Sequence, residues 1–326
     1  MTPVLEVIGP GPHTTVQDLG RCGYQDVGLP PAGALDRISL TLANALVGNP
    51  PNTPALEMLL QGPTLKVAAE SVRIALVGCG AAIEIRSGNG RTVPAGRSVT
   101  LVRDEIFRIG TLGDSVCAYL AIEGGPDVPL VLGSAATYVR GAIGGLHGRP
   151  LRRNDVLPLK LARVDGRVDY ALSRPLDLAL GQSIRLVLGP QADYFTNDAM
   201  RTFLSSEYTV SPHADRMGYR LAGPALAHAK GYDIVSDGIV TGAIQVPGSG
   251  LPIVLMVDHQ TVGGYPKIAT VISADIPVVG RRRPGRPIRF VAVEVREAER
   301  LRRAQATALQ QEIAGIREIR DAPLVS

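Results

Sequence analysis

Short apolar runs of four to seven residues, broken by Gly, Pro or charged positions, recur along most of this chain. Val4–Val7 is the first, and Leu56–Leu60, Thr64–Val67, Val72–Val77, Ala82–Ile85, Ser98–Val102 and Val116–Ile122 then follow in quick succession. Runs of that length, bounded by turn residues, are too short for helices and predict the strands of a barrel or sandwich. Ser183–Leu188, Gly242–Val246, Ile253–Val257, Ile268–Ile272 and Ile288–Val293 repeat the pattern after a polar, proline-containing stretch at Gly166–Asp177. A mainly β chain is therefore expected, in two parts, 1–170 and 171–295, followed by a C-terminal segment, 296–326.

Helical periodicity is confined to a few places. Asp36–Val47 puts Ile38, Leu42, Ala45 and Leu46 on one face, with Asp36 as the N-cap and Gly48-Asn49 as the stop. Asp193–Leu204 predicts a short helix. From Arg296 to about Ile319 the composition turns to Ala, Gln, Glu, Arg and Leu, with Leu309, Ile313 and Ile316 on one side. That predicts a terminal amphipathic helix able to cover a barrel or a partner. A parallel α/β fold is disfavoured, because it needs a crossover helix after nearly every strand.

Composition narrows the class of protein. With 326 residues, 45% hydrophobic and 20% charged, the chain can bury a large core, and 37 glycines and 25 prolines supply its turns. Met1–Glu6 lacks the basic and apolar regions of a leader and no apolar run has the length of a membrane span, so a cytoplasmic protein without membrane contact is expected. The net charge of +4 is modest and the one dense basic run, Arg281–Arg283, is short, which argues against nucleic acid as a partner. Cys22, Cys79 and Cys117 are far apart and read as reduced thiols, Cys22 in a polar loop being the one to test for reactivity. The histidines, His13, His147, His213, His228 and His259, lack ligand spacing, and no metal site is expected. Phosphate-loop, HExxH and GxSxG motifs are absent from the sequence.

The densest chemistry lies just after an apolar strand. Asp258-His259-Gln260-Thr261-Val262-Gly263-Gly264-Tyr265-Pro266-Lys267 gathers a carboxylate, an imidazole, an amide, a hydroxyl, a phenol and an ammonium around a glycine pair. A turn needs Gly, Asn, Asp or Pro, but it has no use for that inventory; a site for a small polar ligand does. Asp258, at the edge of a buried strand, is expected to be perturbed by burial or by a nearby cation, with Lys267 and His259 the nearest in sequence. A second Gly-rich, decorated loop runs from Ala136 through Arg140 to Arg149.

Several blocks, in order, carry a family resemblance. They are Thr15–Arg21 with Gly23-Tyr24, Gly33–Asp36 with Ala43-Asn44 and Val47–Asn49, Gly133-Ser134 with Thr137-Tyr138 and Gly144-Gly145, Asp215–Leu221, Gly242–Pro247, and Asp258–Lys267. On these the chain resembles allophanate hydrolase subunit 2, a family that includes biotin-dependent carboxyltransferase domains, the C-type subunits of 5-oxoprolinase and KipA-like proteins. The resemblance covers nearly the whole chain up to the last helix and implies two cyclophilin-like β-barrel subdomains. It departs from the family at Asn154, often Gly, and at His259, often Arg or Ala.

The resemblance implies one of three roles. The first is ATP-dependent opening of 5-oxoproline to glutamate, in a hetero-oligomer with a KipI-like partner, the B-type subunit, and with a third subunit. The second is carboxyl transfer from carboxybiotin to urea or a similar amide, and the third is KipA-like relief of a histidine-kinase inhibitor. The stand-alone chain favours the first.

Both enzymatic roles act on an amide-type carbonyl. The expected catalytic residues are Asp258, His259, Tyr265 and Lys267, with Gly263 and Gly264 supplying N–H groups to a developing oxyanion, each such donor typically worth about 3 kcal/mol. Gln245, Gln260 and Thr261 would orient the amide, and Arg216 and Arg140 would take an anionic group. ATP has no recognised phosphate loop here and is expected with or at the partner subunits.

Overall fold

The computed structural model describes residues 2–88, 90–166, 168–176, 181 and 183–319. The chain divides into two compact units, Met1–Gly20 with Asp36–Leu178 and Ala308–Ser326, and Arg21–Leu35 with Ala179–Thr307. The units are thus discontinuous in sequence, unlike the contiguous spans 1–170 and 171–295. No local pattern marks 21–35 as belonging with residues about 150 positions further on.

The two large sheets of the first unit are antiparallel. One has the order Val156–Pro158, Val4–Gly9, Thr64–Val67, Ile106–Ile109, Ala82–Ile85, Arg91–Pro94; the other, His13–Gln17, Ala55–Leu59, Cys117–Ile122, Ser71–Val77, Ser98–Val102. Their shared core includes Leu5, Val7, Leu56, Ile74, Leu76, Ile83, Phe107 and Leu120. Cys117–Ile122 is buried along its whole length because it is an interior strand with the helix Arg37–Leu46 packed against it. Asp36 caps that helix as expected, its Oδ1 accepting the N–H groups of Ile38 and Ser39 at 3.0 and 3.1 Å.

His13–Gln17, which carries no apolar run in the sequence, is a strand. Several of its buried polar groups find partners elsewhere in the chain. Gln17 Nε2 donates to the Thr137 carbonyl at 3.0 Å, and Thr137 Oγ1 donates to the Val16 carbonyl at 2.8 Å. Asp18 accepts from Gly20 N–H, Ser134 Oγ and Ala135 N–H at 2.7–2.8 Å. The family blocks around 15–21 and 133–138 are therefore two halves of one hydrogen-bonded structure. Asn154, which replaces a common glycine, has φ +68°, the left-handed conformation that Asn tolerates best after Gly.

The second unit is a closed barrel in the order Ser183–Leu188, Lys267–Val271, Ala243–Gln245, Ile253–Leu255, Gly218–Ala222, Tyr208–Val210, Pro287–Ala292. Closure comes from a parallel pairing of Ser183–Leu188 with Pro287–Ala292. The expected helix at 193–204 resolves into a 3-10 turn, Ala192–Tyr194, and a helix, Asn197–Ser205, capped by Thr196. The C-terminal helix is Val295–Ala314; it stops before Gly315, and Arg317–Ile319 then pairs as a strand with Asp169–Ala171. None of its side chains is fully buried, and its half-buried stripe includes Leu301, Gln305, Leu309 and Ile313.

Candidate functional site

The apolar run after Pro252 becomes the strand Ile253–Leu255 and a buried turn, Met256–His259. Backbone bonds pin this turn to a neighbouring segment: Met256 N–H donates to the Met217 carbonyl and Asp258 N–H to the Arg216 carbonyl, both at 2.9 Å. The side chains repeat the link. Arg216 Nε and Nη2 each donate to one oxygen of Asp258 at 2.9 Å, and Nη2 also donates to the Gly33 carbonyl at 2.8 Å. This corrects two expectations. Asp258 is paired with neither Lys267 nor His259, and Arg216 is engaged by the protein's own oxygens rather than held open for an anion. The true partner lies 42 residues away in sequence, beyond what nearest-neighbour reasoning reaches.

Lys267 and Gln245 lie side by side on adjacent strands of the barrel. They are register partners in the ladder between Ala243–Gln245 and Lys267–Val271, at an irregularity between Ile244 and Gln245. A bulge of this kind re-aims side chains at a barrel rim. Gln245 Oε1 accepts from Gln260 Nε2 at 3.1 Å, while Gln245 Nε2 reaches the Tyr265 carbonyl at a long 3.4 Å. Lys267 Nζ donates to Asp237 Oδ2 at 2.7 Å, and the contact holds the Asp237 carboxyl below its ordinary 3.8.

The two glycines, expected as oxyanion donors, are placed by a short ladder and by backbone bonds through their neighbours' N–H groups. Gly263 is a strand residue opposite Asp237 in a short ladder, Asp237–Gly238 with Val262–Gly263. A Cβ on it would lie 2.6 Å from both Gln245 Nε2 and Ile239 Cδ1, so a side chain there would push the ends of those two side chains aside. Gly264 uses its carbonyl to accept from Ile234 N–H at 2.8 Å, and Thr261 does the same for Ile239 N–H at 3.0 Å. Tyr265 is exposed and Thr261 half-buried.

His259 is fully buried. Its Nδ1 lies 2.6 Å from the Gln260 carbonyl and acts as the donor, leaving Nε2 as a buried acceptor without a hydrogen-bond partner among the described residues. Burial lowers its pKa from 6.5, outweighing the Gln260 bond and the charge of Asp258, so the ring is neutral near pH 7.

Arg140 belongs to the first unit, exposed on the 3-10 turn Val139–Gly141; the other candidate residues belong to the second. Cys22 is exposed, whereas Cys79 and Cys117 are buried, and burial pushes the Cys79 thiol up to about 11. Asp237 and Gln191 were not singled out in the sequence. Asp237 sits in an unremarkable Ser-Asp-Gly stretch of the sequence, and only the fold brings it to Lys267.

The fold and this cluster define a mainly β protein with amide and ammonium groups gathered at a barrel irregularity, a class suited to small polar ligands. The chain belongs to the carboxyltransferase-domain family, whose pattern for subdomains A and B matches residues 27–292. It is 36% identical over 312 residues to the C-type subunit of 5-oxoprolinase from Escherichia coli, covering 94% of this chain and 97% of that protein. It is 32% identical over 328 residues to urea amidolyase of Saccharomyces cerevisiae, where the match covers 94% of this chain but 17% of the enzyme. The crystal structure of Kluyveromyces lactis urea carboxylase superposes with a TM-score of 0.87 at 30% identity, over 98% of this chain and 30% of that one.

Proposed function

We propose that the chain is the C-type subunit of an ATP-dependent 5-oxoprolinase, which opens 5-oxoproline to glutamate together with a KipI-like B-type partner and a third subunit. The observation that carries this reading is the end-to-end match to the E. coli protein, 94% of one chain against 97% of the other. The urea amidolyases, by contrast, contain a region like this chain as 17–18% of a much longer protein.

The chemistry of the cluster supports a lactam acid. Such a substrate carries an amide carbonyl, an amide N–H and a carboxylate. The linked side chains of Gln245 and Gln260 offer an amide donor and an amide acceptor. The 3.4 Å contact from Gln245 Nε2 to the Tyr265 carbonyl is weak enough for a ligand carbonyl to replace it. Lys267 supplies a buried ammonium, and Thr261 and Tyr265 add a hydroxyl and a phenol nearby in the chain. The Arg216–Asp258 pair holds the turn that carries His259 and Gln260. In this reading Asp258 is a positioning residue.

ATP supplies the driving force for opening a lactam. Three buried cations of the second unit are taken up by the protein's own oxygens: Arg216 by Asp258 and Gly33, Arg282 by the carbonyls of Gly181 and Pro287, and Lys267 by Asp237. In this reading the nucleotide is bound with or by the partner subunits.

Carboxyl transfer from carboxybiotin to urea is the second reading, favoured by the family pattern and by the likeness to urea carboxylase. The experiment is reconstitution with the KipI-like partner and the third component, followed by glutamate release from 5-oxoproline. ATP-dependent glutamate that disappears when this chain is omitted is the expected result. An inactive complete complex would overturn the reading, and avidin-sensitive carboxylation of urea would replace it with the second.

A further inference from the structure

Lys267 and its partner Asp237 are unequally placed. The lysine side chain is 6% exposed and that of the aspartate 53%. Asp237 lies in a surface segment, 231–238, in which every residue but Ile234 is exposed. Its Oδ2 meets Lys267 through one 2.7 Å contact, and its Oδ1 accepts from Gly238 N–H at 2.8 Å. The Gln191 side chain also hydrogen-bonds Asp237, and its Oε1 accepts from the Lys267 backbone N–H at 3.2 Å. A buried ammonium and a neighbouring amide thus converge on a carboxylate lent by a surface hairpin. An exposed aspartate can turn into water at little cost, whereas a buried ammonium cannot follow it and requires another anion.

We propose that Asp237 is an internal stand-in for a substrate carboxylate. A small carboxylic acid displaces it, pairs with Lys267 and Gln191, and directs its remaining polar groups to Gln245, the residue opposite Lys267 in the ladder. Arg216 was the sequence-based candidate for this role, but its two bonds to buried Asp258 close it off. The identity of the acid as 5-oxoproline rests on the lactam reading above; the exchange itself does not.

The test is a titration of the purified full chain, followed by NMR, with three probes: 5-oxoproline, acetate and pyrrolidin-2-one, the lactam without a carboxylate. Removing the competitor in Asp237→Asn should tighten 5-oxoproline and acetate about fivefold, the size of one exposed ion pair, and leave pyrrolidin-2-one unchanged. Lys267→Met should abolish carboxylate binding in a chain whose backbone spectrum shows it folded. A gain for acetate without binding of 5-oxoproline would support the exchange and remove the lactam acid as its ligand. Weaker or unchanged carboxylate binding in Asp237→Asn, or no carboxylate binding to either protein, would overturn the proposal. Asp237 lies exposed on a two-residue strand at the surface, so that variant tests the idea even if Lys267→Met does not fold.

Discussion

Arg216 and Asp258 have side chains 6% and 8% exposed and meet through two hydrogen bonds of 2.9 Å; Lys267 and Asp237 are 6% and 53% exposed and meet through one of 2.7 Å. Both pairs belong to the second unit and both contain a residue of the Asp258–Lys267 segment. The first joins two inner segments, is doubled by a backbone bond between the same residues, and presents both carboxylate oxygens to one guanidinium. The second joins the barrel to the surface. The contrast teaches that chemical richness in a sequence segment mixes two kinds of group: those that hold the segment in place and those it presents. Burial of both partners marks the former. Burial of one partner only, with an exchangeable counter-ion, marks the latter.

The comparison is broken most directly at Asp258. Replacing it with Ala leaves a guanidinium buried without its carboxylate, and loss of one partner of such a pair typically costs about 3–5 kcal/mol. The urea midpoint should fall steeply, and any loss of activity should follow the loss of fold. The double substitution Arg216→Met with Asp258→Leu should recover much of it, since an apolar pair removes the buried charge altogether. An Asp258→Ala protein as stable as the parent would mean that this pair is no more structural than the other.

Gly263 gives the next largest effect. Ala there sets a Cβ 2.6 Å from Gln245 Nε2 and Ile239 Cδ1, in a ladder that also carries Asp237. Both atoms end flexible side chains that can swing aside, so the cost falls towards the low end of the roughly 1–3 kcal/mol of overpacking. Moreover, the displaced group would be Gln245, so ligand binding should suffer more than stability does. A calorimetric midpoint read beside the 5-oxoproline titration separates the two effects.

His259 sharpens the comparison through pH. Its folded pKa lies below 6.5 because of burial, so as pH falls below about 6.5 the unfolded chain takes up a proton before the folded one does. Stability present above pH 6.5 is therefore lost on acidification towards the folded value. Urea midpoints between pH 7 and 5 should decline more steeply in the parent than in His259→Gln. Parallel slopes would show that the ring reaches solvent.

Much of the fold was legible because short apolar runs have few other uses. Thr64–Val67, Ala82–Ile85, Ser98–Val102 and Ser183–Leu188 form strands over the expected residues, and Asp36 is the expected cap. His13–Gln17 escaped because Thr14, Thr15 and Gln17 are buried through hydrogen bonds to residues such as Thr137, more than a hundred positions away, and hydropathy does not register satisfied polar groups. Arg317–Ile319 escaped because a strand added to Asp169–Ala171 looks like the end of the helix that precedes it. The candidate site shows the same limit. The segment 258–267 was visible from its residue types, but which charge meets which is a property of the barrel. Asp258 found Arg216 and Lys267 found Asp237, partners 42 and 30 positions away.

The smallest stability effect is expected at Asp237, and its smallness is what separates the two pairs. Its carboxyl is held below 3.8, first by the Lys267 bond and then by Gly238 N–H, so the stability it contributes is present above about pH 4 and is lost as pH falls through the lowered value. With the aspartate more than half exposed, solvent screens most of that contribution. Asp237→Asn keeps an oxygen acceptor beside Lys267 and should therefore lower the urea midpoint at pH 7 far less than Asp258→Ala does, and parent and variant should converge below about pH 4. The same change should tighten carboxylate binding. A large fall in the midpoint would make Asp237–Lys267 a structural pair like Arg216–Asp258, and the distinction between holding and presenting groups in this barrel would fail.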